Sequence, residues 1–553
     1  MHSIRLRLPF FVWLSLLLIV APLSPSAQTR KPAAPKIKLV VGIVIDQFRY
    51  DYLTRFEDQF GEGGFKRFLQ SGAVFSNAHY PYTPTVTACG HAAFMSGASP
   101  SHNGIIGNDW FDRVTGKRTT SVADANTKLL GGKEDASGMS PVRLVGSTIG
   151  DQLKLHTVGQ AKVIGMSYKD RSAILPAGKH PNGAYWFSAS NGAFVSSTYY
   201  FSELPAWVKK FNQEQNPSRY FGKVWERMLP EAAYARSLRD EYPHEKWTYG
   251  TKFPYTINGG DTQPGTKFYT QFEYTPFANE HLVAFAKAAI ENEKLGQDDV
   301  PDLLTVSFSA NDLLGHSFGP YSQEVQDMTL RTDRALADLF AYLEQKIGLQ
   351  NVVVAMTADH GVGPIPEYAQ EYGLGGRIEA KAISEVAEAA LNKRFGEDKW
   401  ILSLSNGNIY FDYAALERRK ASREEAEAIA SAAIRQVPGI AECFTRTQIT
   451  FGKMPQTTVA RSVAEGFYPH RNGDLVIVPQ PFFLAGETIV ASHGTPYSYD
   501  THVPVIFYGA GVQAGIFTRL SSPLDIAPTL AAILRIEQPS NSVGTILGEA
   551  IKK

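Results

Sequence analysis

Cysteine is almost absent. Cys89 and Cys443 are the only two in 553 residues. That excludes a disulfide-built scaffold and any cysteine-based zinc site, while leaving a single pairing open. A metal in this chain must therefore be held by Asp, Glu and His. An excess of charge is missing too: 54 Lys and Arg stand against 54 Asp and Glu. Nothing global points to nucleic acid. Internal repeats and long low-complexity tracts are absent, and past the N-terminus no stretch resembles a membrane span.

What is present is ordinary globular material, 44% hydrophobic and 20% charged, with 12% aromatic residues. The chain is long enough for a large core carrying insertions. Residues 1–27 read as an export signal: Arg5 and Arg7 precede an apolar run at 10–21 too short to favour a spanning helix. Ser24, Ser26 and Ala27 offer cleavage points, and Pro25 blurs the choice among them. The destination implied is periplasmic or secreted, with no stable membrane span after cleavage. Residues 28–36 form a Pro-, Ala- and Lys-rich linker, and 37–550 hold the catalytic domain.

The domain is organised around residues 82–91, Y-T-P-T-V-T-A-C-G-H. This stretch follows a strand-to-loop passage at 72–80 and leads into small, helix-compatible residues. A hydroxyl where a loop meets a helix N-terminus has backbone N–H groups and a positive dipole beside it. Thr87 is the candidate nucleophile. A Thr in this position is more often a cap, so its neighbours in the fold must carry the argument.

Several continuous apolar runs suit strands buried on both faces of a parallel sheet, each ending in chemistry. Residues 38–45 end at Asp46, and 162–169 lead to Lys169 and Arg171. Taken as extended, this last pair shares one face and suits a phosphoryl oxygen cluster. Residues 301–309 lead to Asp312 and His316, four apart, and 351–357 lead to Asp359 and His360 before a glycine. Further strands are expected at 474–479 and 503–509, with His493 between them in S-H-G-T-P. Asn108 lies in a Gly- and Asn-rich loop and offers an uncharged donor. Helices are expected at 50–70, 147–155, 322–348 and 522–534. The segment at 180–290 is rich in Tyr, Trp, Phe and Pro; it reads as an irregular aromatic cap, most of whose rings pack in a core. Residues 366–470 read as a small α/β accessory unit without a catalytic set.

Three carboxylates (Asp46, Asp312, Asp359), three imidazoles (His316, His360, His493) and one hydroxyl (Thr87) thus collect at strand ends. That inventory serves two metal sites with open positions. The matching stretches are I-V-I-D at Asp46, T-A-C-G-H at Thr87, G-N-D-W at Asn108, S-Y-K-D-R at Lys169, N-D-L-L-G-H at Asp312, T-A-D-H-G at Asp359 and S-H-G-T at His493. In these the chain resembles the alkaline phosphatase superfamily, within it the PafA-type phosphatases that use Thr as nucleophile.

The resemblance implies an α/β fold: a central, mostly parallel sheet flanked by helices, with inserted cap and accessory segments. It implies two zinc ions. Asp312, His316 and His493 would hold one; Asp46, Asp359 and His360 the other, with Thr87 facing it. Asn108, Lys169 and Arg171 would bind the phosphoryl oxygens. Small-molecule phosphate monoesters are the expected substrates, cleaved through a phosphothreonine. The alternative is a phosphodiesterase or nucleotide pyrophosphatase on the same bimetallic core. Related enzymes of that kind lack this Lys-x-Arg pair, and two extra cations favour the more highly charged monoester. Cys89 receives no role, and C-G-H-A-A does not match the C/S-x-P-x-R of sulfatases.

Overall fold

The computed structural model describes residues 36–132, 136–486 and 488–552. The expected export signal and most of the linker after it lie outside these residues. Among the described residues, no helix is long and apolar enough to cross a membrane.

A sheet of eleven strands among the described residues forms the centre. Its middle is built from the apolar, β-branched runs. Val352–Thr357, Leu39–Ile45, Asp302–Phe308, Val163–Ser167 and Gly183–Ser188 lie side by side in that order, all parallel. Residues buried on both faces need no hydrophobic alternation, which is why these strands read as continuous apolar runs. Val505–Gly509 adds on antiparallel beside Val352–Thr357. The edge strands on both sides are mixed in direction.

Helices cover both faces. One face packs Phe48, Leu304, Leu336, Leu339, Phe340 and Leu343 into a core. The last four lie along the long helix Gln323–Lys346, whose start is capped by Ser322 accepting from the Val325 N–H at 3.2 Å. The other face packs Phe94, Met95, Ile149, Ile526 and Leu530.

Three stretches differ from expectation. The helix expected at 50–70 is broken into Asp51–Arg55, a 3-10 turn at Glu57–Gln59 and Phe65–Ser71. Gly61, Gly63 and Gly64 interrupt it, and the Asp333 carboxylate receives the N–H groups of Gly61 and Phe65. Leu53, Phe56, Phe60, Phe65 and Phe68 are nonetheless all buried. The aromatic segment is more regular than its composition indicated. Gly183–Ser188 and Ala193–Ser197 are strands of the central sheet, and Pro276–Asn292 is a helix. Trp225, Tyr234, Tyr255, Phe268 and Phe272 are core residues. Leu475–Pro479 does not join the central sheet. It pairs with Asn408–Phe411 and Ile440–Thr445 in a separate four-stranded sheet. The accessory unit so formed packs Trp400, Ile409, Phe411, Ile434 and Cys443 around its own core. Cys443 and Cys89 are both buried and unpaired.

Candidate active site

Four adjacent parallel strands deliver the site at their C-terminal ends, where α/β sheets place ligands. Asp46 follows Ile45 directly, and Asp359 and His360 follow Val352–Thr357. The helix Ala310–Phe318 starts just past Phe308 and carries Asp312 and His316 one turn apart. Lys169 lies two residues beyond Ser167. His493 comes from a loop before Val505–Gly509.

Thr87 is the first residue of the helix Thr87–Ser96 and is 1% exposed. No side chain of the preceding residue caps this helix, so its early N–H groups need partners. Asn108 supplies one: its Oδ1 accepts the Ala88 N–H at 2.8 Å. The amide end of Asn108 is thereby fixed beside Thr87 with its donors left for a ligand. Gly90, one turn on, is required by packing. A Cβ there would lie 2.2 Å from the Asp359 carbonyl oxygen. The helix Thr87–Ser96 can press against the Asp359 backbone only because position 90 has no side chain.

The three ligand-type histidines share one arrangement. His316 Nδ1 donates to the Ala491 carbonyl at 2.7 Å, His360 Nδ1 to Gly361 at 2.9 Å and His493 Nδ1 to Thr85 at 2.8 Å. Each backbone bond fixes the tautomer and leaves Nε2 as a lone-pair donor, as metal-ligating imidazoles require. The Nε2 atoms turn toward the acids. His316 Nε2 lies 3.2 Å from Asp312 Oδ1, and His493 Nε2 lies 3.5 Å from the same atom. His360 Nε2 lies 3.5 Å from Asp46 Oδ1 and 3.4 Å from Asp359 Oδ2.

Two compact donor sets result: Asp46 with Asp359 and His360, and Asp312 with His360 and His493. In each, the donor atoms lie within 4.8 Å of one another. His360 stands between the two, stacked on His493, and His316 joins through Asp312. The side chains fit divalent cations on two further grounds. Asp46 Oδ1, Asp359 Oδ2 and His360 Nε2 are buried without any hydrogen-bond partner, which is costly unless a cation takes them. Burial, then the neighbouring Asp312 and Asp359, pushes the Asp46 carboxyl well above its usual range. Burial likewise pushes Asp359 up to about 7. Carboxylate and imidazole donors together suit borderline cations such as zinc, manganese or cobalt.

Lys169 lies between the two sets, donating to Asp46 Oδ2 at 2.7 Å and Asp312 Oδ2 at 2.5 Å. Burial opposes its charge, but Asp312 and Asp46 outweigh burial and raise the ammonium above its ordinary range. Burial also works to raise Asp312; Lys169, His316 and His493 overcome it and hold that carboxyl well below its usual range. Arg171 is not extended alongside Lys169. It is the second residue of the helix Asp170–Ala177, so the expected i, i+2 face does not exist. Its Nε is buried and unpartnered all the same.

Sequence reasoning assigned no role to two further residues. His91 lies one helical turn after Thr87; its Nδ1 is 2.8 Å from the Thr87 carbonyl and 3.3 Å from Asp359 Oδ2, and its Nε2 is 2.7 Å from Ser307 Oγ. Burial pushes its pKa down to about 4, so it is a neutral imidazole, held by Thr87 and Ser307 and packed beside Asp359. Gln47 gives its N–H to Asp359 Oδ1 at 3.1 Å and its side-chain amide to Asp312 Oδ1 at 2.7 Å. The i, i+4 spacing to Thr87 was the available signal for His91. Gln47 had only its place beside Asp46.

A hydroxyl at a helix start, two acid–imidazole clusters able to hold metal ions and a buried lysine on a parallel-sheet edge define a candidate metal-dependent hydrolase site of the α/β class. Comparisons narrow the class. The type I phosphodiesterase / nucleotide pyrophosphatase family profile matches residues 40–494. Alkaline phosphatase PhoV of Synechococcus elongatus is 37% identical over 535 residues, 96% of each chain. Alkaline phosphatase PafA of Elizabethkingia meningoseptica is 36% identical over 544 residues, 98% of each. A Myroides odoratus protein named calcium-transporting ATPase is 38% identical over 523 residues, 94% of this chain and 95% of its own. A crystal structure of PafA matches at a TM-score of 0.89 and 36% identity, covering 94% of this chain and all of that one. The chain belongs to the type I phosphodiesterase / nucleotide pyrophosphatase family and is an enzyme of the alkaline phosphatase superfamily, of the PafA type.

Proposed function

We propose that the chain is an exported, zinc-dependent phosphomonoesterase working through a phosphothreonine at Thr87. The observation that supports it most is Lys169, a buried cation held between one carboxylate of each donor set. With Arg171 close by in sequence, it would offer positive charge to a phosphoryl group once metal cations take over Asp46 and Asp312. A monoester dianion uses that charge better than a diester monoanion.

Asp46, Asp359 and His360 would hold one zinc, and Asp312, His316 and His493 the other. When bound, the pair supplies Lewis acidity toward the nucleophile and the leaving oxygen. Thr87 Oγ attacks phosphorus in line, and the ester bond to the leaving alkoxide breaks as the phosphothreonine forms. Water then cleaves the phosphothreonine and regenerates the hydroxyl. The Asn108 amide, Lys169 and Arg171 bind the nonbridging oxygens. Gln47 keeps Asp359 in place throughout.

The matched family profile favours a second reading, a diesterase on the same core. Kinetics on zinc-loaded protein separate the two. p-Nitrophenyl phosphate is expected to be cleaved fast and its bis-ester slowly, with both rates lost on chelation. A strong diester preference would overturn the monoesterase reading.

A further inference from the structure

An apolar cavity of about 260 Å³ lies where the accessory sheet meets the two segments that carry the site. Val86 and His493 form part of its near wall; Ile378, Ile383, Leu404 and Ile477 face them. The near wall is part of the catalytic scaffold. Val86 immediately precedes Thr87, and His493 turns its Nε2 toward Asp312. The two segments are laced together: Thr83 Oγ1 donates to the Gly494 carbonyl and Thr85 Oγ1 to the Thr495 carbonyl, both at 2.9 Å.

Among the described residues, the lining contains no Asp, Glu, Lys or Arg. It offers nothing to a second phosphate and little to a polyol. Leu404 is left 37% exposed, a large apolar side chain partly in water beside the cavity. An apolar cavity of roughly 150 Å³ accepts benzene, so this one has room for a bicyclic aryl group or a chain of about six carbons.

We propose that the cavity receives the apolar organic group of the phosphate monoester, aryl or medium-length alkyl, while the phosphoryl group sits at Thr87. This rests on the phosphomonoesterase reading and names its substrate class. The occupant is assigned from adjacency: Val86 of the lining immediately precedes Thr87, and His493 belongs both to the lining and to the site. An apolar group gains there by leaving water.

A series of n-alkyl phosphates from ethyl to octyl tests the inference on zinc-loaded protein. Leaving-group basicity barely changes along the series, so differences report contact with the chain. kcat/KM is expected to rise about fourfold per added methylene up to hexyl. Ala380 and Ala485 line the cavity and are exposed to solvent, so Ala380→Trp and Ala485→Trp fill it with little risk to folding. Both variants are expected to keep the rate on ethyl phosphate and to flatten the rise. A flat series in the unaltered protein, or a rise that persists in both variants, overturns the inference. If ethyl and p-nitrophenyl phosphate are both inert while a diester is cleaved, the monoesterase reading has failed and this inference falls with it. A flat series beside brisk ethyl phosphate hydrolysis overturns the inference alone.

Discussion

The imidazole of His360 lies flat on that of His493, ring centroids 3.5 Å apart and planes within 12°. Each ring belongs to a different donor set in the proposed metal assignment, so neither set is geometrically independent. Replacing His493 by Ala removes one ligand and also frees the ring that carries another. Metal content of purified His493→Ala, measured by mass spectrometry, is expected to fall below one equivalent per chain. Retention of one full equivalent would show that the stack does not couple the sets.

Thr87→Ala is expected to lower kcat/KM for p-nitrophenyl phosphate by at least about a thousandfold. Metal content and melting temperature should stay unchanged, because the Thr87 side chain makes no hydrogen bond among the described residues. Loss of metal together with activity would make Thr87 a structural residue.

Lys169→Met separates two roles of one ammonium. In metal-free protein it leaves Asp46 and Asp312 without their shared partner, a loss of about 3 kcal/mol. In zinc-loaded protein the cations take over that duty, and the melting temperature should change little. Monoester kcat/KM should fall much further than diester kcat/KM. Equal losses on both substrates would remove the basis for monoester specificity.

Gly90→Ala places a methyl group against the Asp359 backbone, 2.2 Å from its carbonyl oxygen. Overpacking of this kind costs about 3 kcal/mol. Because the strain falls on a proposed ligand, activity should drop even where the protein is folded. Calorimetry and kinetics on the same sample would show both effects.

Glu245 and Glu324 link stability to alkaline pH. Burial, then proximity to Glu324, pushes Glu245 up to about 9; burial pushes Glu324 up to about 8. Glu324 retains a hydrogen bond from Tyr255 at 2.7 Å, while Glu245 Oε1 and Glu324 Oε2 have no partner. Both groups prefer the neutral form when folded. Their contribution is therefore complete below the ordinary carboxylate range and is lost as pH rises through 8 to 9. Melting temperature measured from pH 6 to 10 should decline more shallowly in Glu245→Gln than in the unaltered protein.

Much of the site was legible because it sits where local patterns end. Asp46, Asp312 and the Asp359–His360 pair each follow a buried apolar run, and such runs stop at the sheet edge where ligands bind. The less legible parts depend on long-range packing. Gly183–Ser188, G-A-Y-W-F-S, reads as aromatic cap sequence because its rings, not its backbone pattern, dominate the composition. The break within 50–70 follows from Asp333, far along the chain, drawing off two N–H groups. Lys169 and Arg171 were paired by an extended spacing, yet Asp170 opens a helix between them. Gln47 acts on Asp359 and Asp312 across the fold, and no local pattern announces that.

The accessory unit leaves the catalytic domain shortly after His360 and returns shortly before His493. It is thus spliced between two stacked rings: the backbone path from His360 to His493 runs through a folded unit with its own core, while the rings themselves lie 3.5 Å apart.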